Sequence, residues 1–125
     1  MGQVMPTILC LNNDAGTLKL LNVILKYEGY QIVTTQSKSS ALIKALSGIF
    51  NLFILDVDLA DGSGIELCRE IRVFDKKTPI IFYSPDDLYN YIEEAMKASA
   101  QAYLRKLIIP NVLLETVALL LDRPR

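Results

Sequence analysis
The residues of this 125-residue chain that are equipped for chemistry are few, and they fall at related places. Asn12-Asn13-Asp14, Asp56-Val57-Asp58, Ser84 and Lys106 each follow a short apolar run. Carboxylate, hydroxyl and ammonium together form the set that a phosphorylated or metal-bound carboxylate requires. The added charge must be met by hydrogen-bond donors and by a cation. A polar residue ending an apolar run is ordinarily a turn or cap residue, but four runs ending in complementary groups point further. The chain has no histidine, which removes that side chain as general base or metal ligand. Cys10 and Cys68, its two cysteines, stand in no metal or redox spacing. They read as small buried hydrophobes of a reducing compartment.

The elements that position these groups follow from hydropathy. Apolar runs at 7–11, 31–35, 52–55, 80–83 and 102–104 alternate with helix-like stretches. Phe53-Ile54-Leu55 and Ile80-Ile81-Phe82 are apolar at every position, as strands covered on both faces are. Leu18, Leu21, Val23, Ile24 and Leu25 form a broad apolar helix face, ended by Gly29. Ser63 with Glu66 matches a capping box after the Asp61-Gly62 turn. Asp86 suits the cap of the next helix and Pro110 the first turn of the last. Five βα units with short connections predict a doubly wound parallel sheet, order 2-1-3-4-5, between two layers of helices. In such sheets ligands bind beyond the carboxyl ends of the strands, where the four polar groups fall. One domain over 1–125 is expected, its core spanning about 7–122. The balance of 13 Lys and Arg against 14 Asp and Glu, net charge -1, leaves no basic footprint for direct nucleic-acid binding. No apolar run reaches bilayer-spanning length, so membrane insertion is not expected and the chain reads as cytosolic.

With these residues in view, the whole chain resembles a response-regulator receiver domain of two-component signal transduction. The spacing from Asn12-Asn13 to Gly29-Tyr30 is similar to that from the family's acidic pair to the end of its first helix. Ile54-Leu55-Asp56, then Leu59, Asp61-Gly62 and Gly64, resembles the phosphoacceptor strand and its glycine-rich turn. Residues 79–84 resemble the fourth strand with its hydroxyl residue, and 100–106 the fifth with its aromatic and lysine. The resemblance implies a flavodoxin-like sandwich with Asp56 as phosphoacceptor and Ser84 bonding the phosphoryl group. Lys106 would pair with its charge, and Tyr103 would be the aromatic that turns inward on activation. It implies a sensor histidine kinase or phosphotransfer protein as donor and a downstream effector as target. It also implies magnesium at Asp56, Asn13 and the main-chain carbonyl of Asp58, with Asn12 further out.

The departures bear on that metal. Asn12 and Asn13 stand where the family has two acids, and magnesium prefers anionic oxygen in near-octahedral geometry. At an effective dielectric of ~20, one charge pair ~4 Å apart is worth ~4 kcal/mol before desolvation. Losing two carboxylates therefore predicts weak or absent magnesium binding, which Asn13→Asp should raise and the double change with Asn12→Asp should raise further. Asp14 and Asp58 could return charge, but Asp14 is better placed as a helix cap and Asp58 as a solvated side chain. Pro85 follows Ser84 and lacks an N–H to face a phosphoryl oxygen. Leu107 follows Lys106 where the family has proline after a cis bond. A cis bond before a non-proline residue costs ~3–4 kcal/mol, so Lys106–Leu107 is expected to be trans. Ala60 replaces a further family proline.

Three functions compete on these residues. The first is a phospho-accepting receiver with weakened magnesium binding; the second is a degenerate receiver that binds partners without phosphorylation. The third is a haloacid-dehalogenase-like phosphatase, suggested by Asp56-Val57-Asp58. Its late acidic pair has only Glu115 and Asp122 to draw on, and a non-enzymatic signalling domain is expected instead. Survival of Asp56, Ser84 and Lys106 favours the first. The last helix is apolar beyond the ~100° stripe that core contact needs. Exposure among Leu114, Ala118 and Leu121, and a homodimer through that face, are therefore expected.

Overall fold
The structure is a computed structural model that describes residues 5–85, 89–105 and 110–123. Five strands form the central sheet: β1 (Thr7–Leu11), β2 (Gln31–Thr35), β3 (Leu52–Leu55), β6 (Ile80–Ser84) and β7 (Ala102–Arg105). Their order is β2-β1-β3-β6-β7 and every pairing is parallel, the topology expected from the apolar runs. The first three strands have the expected bounds, and the last two each run one residue further. A short antiparallel pair, β4 (Asp58–Leu59) and β5 (Gly62–Ser63), stands outside this sheet. The helices are α1 (Ala15–Tyr27), α2 (Lys38–Ala45), α3 (Gly64–Phe74), α4 (Tyr89–Lys97) and α5 (Pro110–Leu120). Asp86, Lys106 and the Lys106–Leu107 peptide lie outside the described residues.

The strands are continuously apolar because the sheet is covered twice. In β1, Leu9 and Leu11 face a core with Phe53, Leu55, Leu67, Ile71 and Phe82. Ile8 and Cys10 face a second core with Leu21, Leu25, Ile54, Ile81 and Val117. Helix starts and stops follow local chemistry. Asp14 caps α1, its carboxylate accepting from the Thr17 N–H at 3.1 Å and the Thr17 hydroxyl at 2.7 Å. Gly29, at φ 94°, takes the left-handed turn that ends the same helix. Ser63 caps α3, but Glu66 does not complete the expected capping box by any recorded bond; its carboxylate pairs with Lys38.

Two expectations about helix faces are corrected. Val23 is 66% exposed, because the residues of α1 three and four apart that meet the sheet are Leu18, Leu21 and Leu25. In α5, Leu114 and Ala118 are buried and Leu121 is half-buried, whereas Leu119 is 78% exposed. Besides packing in the sheet core, Leu114 borders a groove with Val23, Ile24 and Tyr27 of α1. Burial in the core shared with α1 takes up part of the wide apolar stripe, and Val112 and Leu119 are left exposed. At the amino ends of the strands sits Arg72 of α3, 9% exposed. Its guanidinium donates to the carbonyls of Asp75, Thr78 and Ser99 and to the Gln101 side chain, tying the approaches to β6 and β7 together.

Both cysteines are free and fully buried, one in each core. Burial pushes the Cys10 thiol up to about 12. Burial also pushes Cys68 up to about 11, against the opposing pull of Arg72 and Arg69. At pH 8 the thiolate fraction of each is then below roughly one in five hundred. Neither is expected to react with a disulfide reagent in the native chain, and both are expected to react in guanidinium. Fast native labelling of either would show its core open to solvent.

Candidate functional site
The carboxyl ends of β1, β3 and β6 meet at one edge, and the chain places polar residues at each. Asp56 follows β3 and is 4% exposed. Its Oδ2 accepts from the Asn13 N–H at 3.0 Å and its Oδ1 from the Val57 N–H at 2.9 Å. Its own N–H donates to the Leu11 carbonyl at 2.9 Å, so backbone and side chain are both tied to the end of β1. Ser84 ends β6 with no exposed surface. The pairing of Leu55 with Phe82 puts Asp56 level with Tyr83, one position short of Ser84. Tyr103 of β7 pairs with Phe82 in register and stacks on its ring, centroids 6.0 Å apart. It is half-buried.

The two asparagines differ in role. Asn12 is buried, at 1% exposure, whereas Asn13 is exposed. The Asn12 Oδ1 accepts from the Asp14 N–H at 3.0 Å, and its Nδ2 donates to the Tyr83 carbonyl at a long 3.4 Å. Asn13 contributes backbone: its N–H goes to Asp56 and its carbonyl accepts from Gln36 Nε2 at 3.2 Å. Asp14 is spent on the α1 cap and Asp58 is exposed, as anticipated for both.

The turn after Asp56 is held just as closely. The Gly64 N–H donates to the Val57 carbonyl at 2.7 Å, and a Cβ on Gly64 would run into the Asp56 carbonyl oxygen. Asp61, at the tip of that turn, accepts from the N–H groups of Lys38 and Ser39 at 2.8 and 3.1 Å. Those bonds, Lys38 first, hold its carboxyl below the usual range and dock the turn on the start of α2. Lys38 in turn bonds Glu70 and meets Glu66 on α3; the bond to Glu70 foremost raises its pKa. These contacts were not read from the sequence, where Asp61 signals only a turn; an acid at the tip of a turn facing a helix start was the available clue.

A buried, oriented carboxylate beside a buried hydroxyl is arranged to gain a group and have the added oxygens met by donors. A divalent cation at this edge would draw its charge from Asp56. Asn13 brings an exposed neutral amide, and the Asn12 Oδ1 already serves Asp14. Among the described residues no group of three or more Asp, Glu, Cys and His side chains is placed to hold a metal. The donors fit a cation held by one carboxylate and neutral oxygens.

Comparison with known proteins bears on what such an edge does. The family model described as the response regulator receiver domain matches residues 8–118. The transcriptional regulatory protein ResD of Bacillus subtilis is 30% identical over 93% of this chain and 48% of its own length. The transcriptional regulatory protein ZraR of Klebsiella oxytoca is 28% identical over 79% of this chain and 22% of its own. The chain thus spans less than half the length of these relatives. Among solved structures, a CheY-like receiver domain protein from Methanospirillum hungatei superposes with a TM-score of 0.91 at 27% identity, covering 95% of both chains. The response regulator protein TrrA of Thermotoga maritima, in complex with Mg2+-BeF, gives 0.85 at 33% identity, over 93% of this chain and 99% of that one.

The close approach at Gly64 makes a direct prediction. Gly64→Ala is expected to cost about 3 kcal/mol by displacing the Asp56 backbone, since overpacked sites relax only by moving their neighbours. A urea midpoint equal to that of the natural chain would contradict this geometry.

Proposed function
The chain belongs to the response regulator receiver domain family of two-component signal transduction, and we propose that Asp56 is its phosphoacceptor, served by a weakly held magnesium ion. The observation that carries this is the Asp56 carboxylate, buried and aimed by the N–H groups of Asn13 and Val57 beside buried Ser84. In the transfer, a carboxylate oxygen bonds to phosphorus as the phosphorus–nitrogen bond of a phosphohistidine breaks. The electron pair leaves on the imidazole, which takes a proton. The Ser84 hydroxyl donates to a phosphoryl oxygen, Lys106 pairs with the charge, and Tyr103 turns inward. Magnesium would be held by Asp56, Asn13 and the Asp58 carbonyl, with Asn12 further out. Bound there, the ion screens the incoming oxygens from the carboxylate. Weakness follows from the donor chemistry, amide dipoles standing where charges are wanted.

The donor would be a sensor histidine kinase or a phosphotransfer protein, and the target a downstream effector. ResD and ZraR carry transcriptional regulation in their names, and this chain matches less than half of either. Among the described residues no helix is long and apolar enough to cross a membrane; the cytosolic location we propose rests on the receiver-domain family alone. A homodimer through α5, if formed, would use Val112 and Leu119 rather than Leu114 and Ala118. A second reading, partner binding without phosphorylation, is favoured by one observation. The Asn12 amide is bonded at both ends, so its oxygen is already taken up by a donor of the protein itself.

Magnesium titration with acetyl phosphate, read by mass spectrometry, separates the two. Labelling at Asp56 is expected to be slow at millimolar magnesium and to rise with it. Asn13→Asp is expected to tighten magnesium binding about tenfold and to speed labelling, by restoring one charge at the rim. Ready labelling of the natural chain at low magnesium would refute the weak site. Absence of labelling in both proteins at every magnesium concentration would count against the phosphoacceptor reading and favour the second.

A further inference from the structure
We propose that Asn12 is a positioning residue that aspartate cannot replace, bracing the peptide that carries Ser84 against the end of β1. The brace crosses the sheet. β1 and β6 are not neighbours, since β3, which Asp56 follows, lies between them. Asn12 spans that gap past Asp56, from the end of β1 to the Tyr83 carbonyl. That carbonyl belongs to the peptide whose nitrogen is Ser84's. The Asn12 backbone N–H meanwhile donates at 3.2 Å to the carbonyl of Thr35, the last residue of β2. Through its Oδ1, Asn12 also holds the N–H of Asp14, the residue that caps α1. One side chain, 1% exposed, therefore connects the ends of the strands on both sides of Asp56 to the start of α1.

The orientation of the amide is set by its shorter bond. The Asp14 N–H is a donor, so the atom facing it at 3.0 Å is the oxygen, and the nitrogen is turned to Tyr83. An aspartate in this place keeps the first bond and reverses the second. A carboxylate oxygen would face the Tyr83 carbonyl, two acceptors with no proton between them, in a buried spot that already holds the Asp56 carboxylate. An acceptor buried opposite an acceptor is worse than a lost hydrogen bond, because the group forgoes water as well. The two asparagines thus part company. Asn13 is exposed at the rim, and a charge returned there meets solvent and the cation. Asn12 is structural, and a charge returned there disturbs the frame that positions Ser84. The bond pattern stands whether or not Asp56 is phosphorylated; the consequence for Ser84 chemistry rests on the phosphoacceptor reading.

The test uses the nitrogen-15 labelled full chain with Asn12→Asp, Asn12→Ala and Asn13→Asp. In the natural chain the Asn12 side-chain amide protons are expected to exchange with water at least about tenfold more slowly than those of Asn13. Asn12→Asp is expected to lower the unfolding midpoint, measured without magnesium at neutral pH, by about 3–6 °C. Asn12→Ala is expected to slow Asp56 labelling even at saturating magnesium, a deficit that loss of an outer metal contact would not leave. Equal exchange of the two side-chain amides in the natural chain would overturn the proposal without recourse to any variant. So would an Asn12→Asp protein as stable as the natural one when magnesium is absent. A natural chain that never labels bears on the phosphoacceptor reading alone, and the exchange and unfolding results then decide the role of Asn12.

Discussion
A carboxylate with 4% of its surface in water must be given donors by the protein, and Asp56 takes two from the backbone, at Asn13 and Val57. Much of this edge answers to that requirement. The Asn13 N–H reaches Asp56 because β1 stops at Leu11 and the chain turns there into α1. The turn depends on the Asp14 cap. The Val57 N–H is available because the chain leaves the sheet after Leu55 and turns through Asp58 to Ser63. Its carbonyl is taken up by Gly64, which must lack a Cβ to lie against Asp56. Each polar group that the sheet releases at its edge is thus met by the neighbouring strand end or helix start.

The strand elements were legible because their physics is local. A strand covered on both faces has nowhere to put a polar side chain, so apolar runs bounded by turn residues mark β1, β3 and β6 directly. Parallel order and right-handed connection then leave few topologies. The faces of the helices were less legible. Leu114 and Ala118 of α5 read as surplus apolar area because the contact between α5 and α1 is tertiary and leaves no mark in either helix alone. Arg72 escaped for a related reason. A cation satisfied by three carbonyls from two loops has no charged partner in the sequence to announce it.

At the site, the residues in line with strand ends were legible and the contacts among them were not. Asp56 and Ser84 follow from where their strands stop. That Asn12 points across to β6 while Asn13 points outward depends on one residue of phase at the end of β1. The sequence shows two identical side chains in succession. Asp61 is similar: a turn residue by type, it becomes an anchor only because α2 begins opposite it, with free N–H groups at Lys38 and Ser39.

The neutral pair also alters the balance between the empty and the metal-bound edge. Where three carboxylates converge, as the family resemblance would have it, like charges in a buried place repel one another, and a divalent cation is bound partly because it relieves them. Replacing two of them by amides removes the repulsion together with the attraction. One amide oxygen and one amide nitrogen then satisfy a donor and an acceptor that two carboxylate oxygens could not both meet. The Asn12 contacts to Asp14 and Tyr83 are two such bonds. A cation at the same edge would meet less negative charge. More internal hydrogen bonding and less charge for a cation are thus two consequences of the same pair of residues.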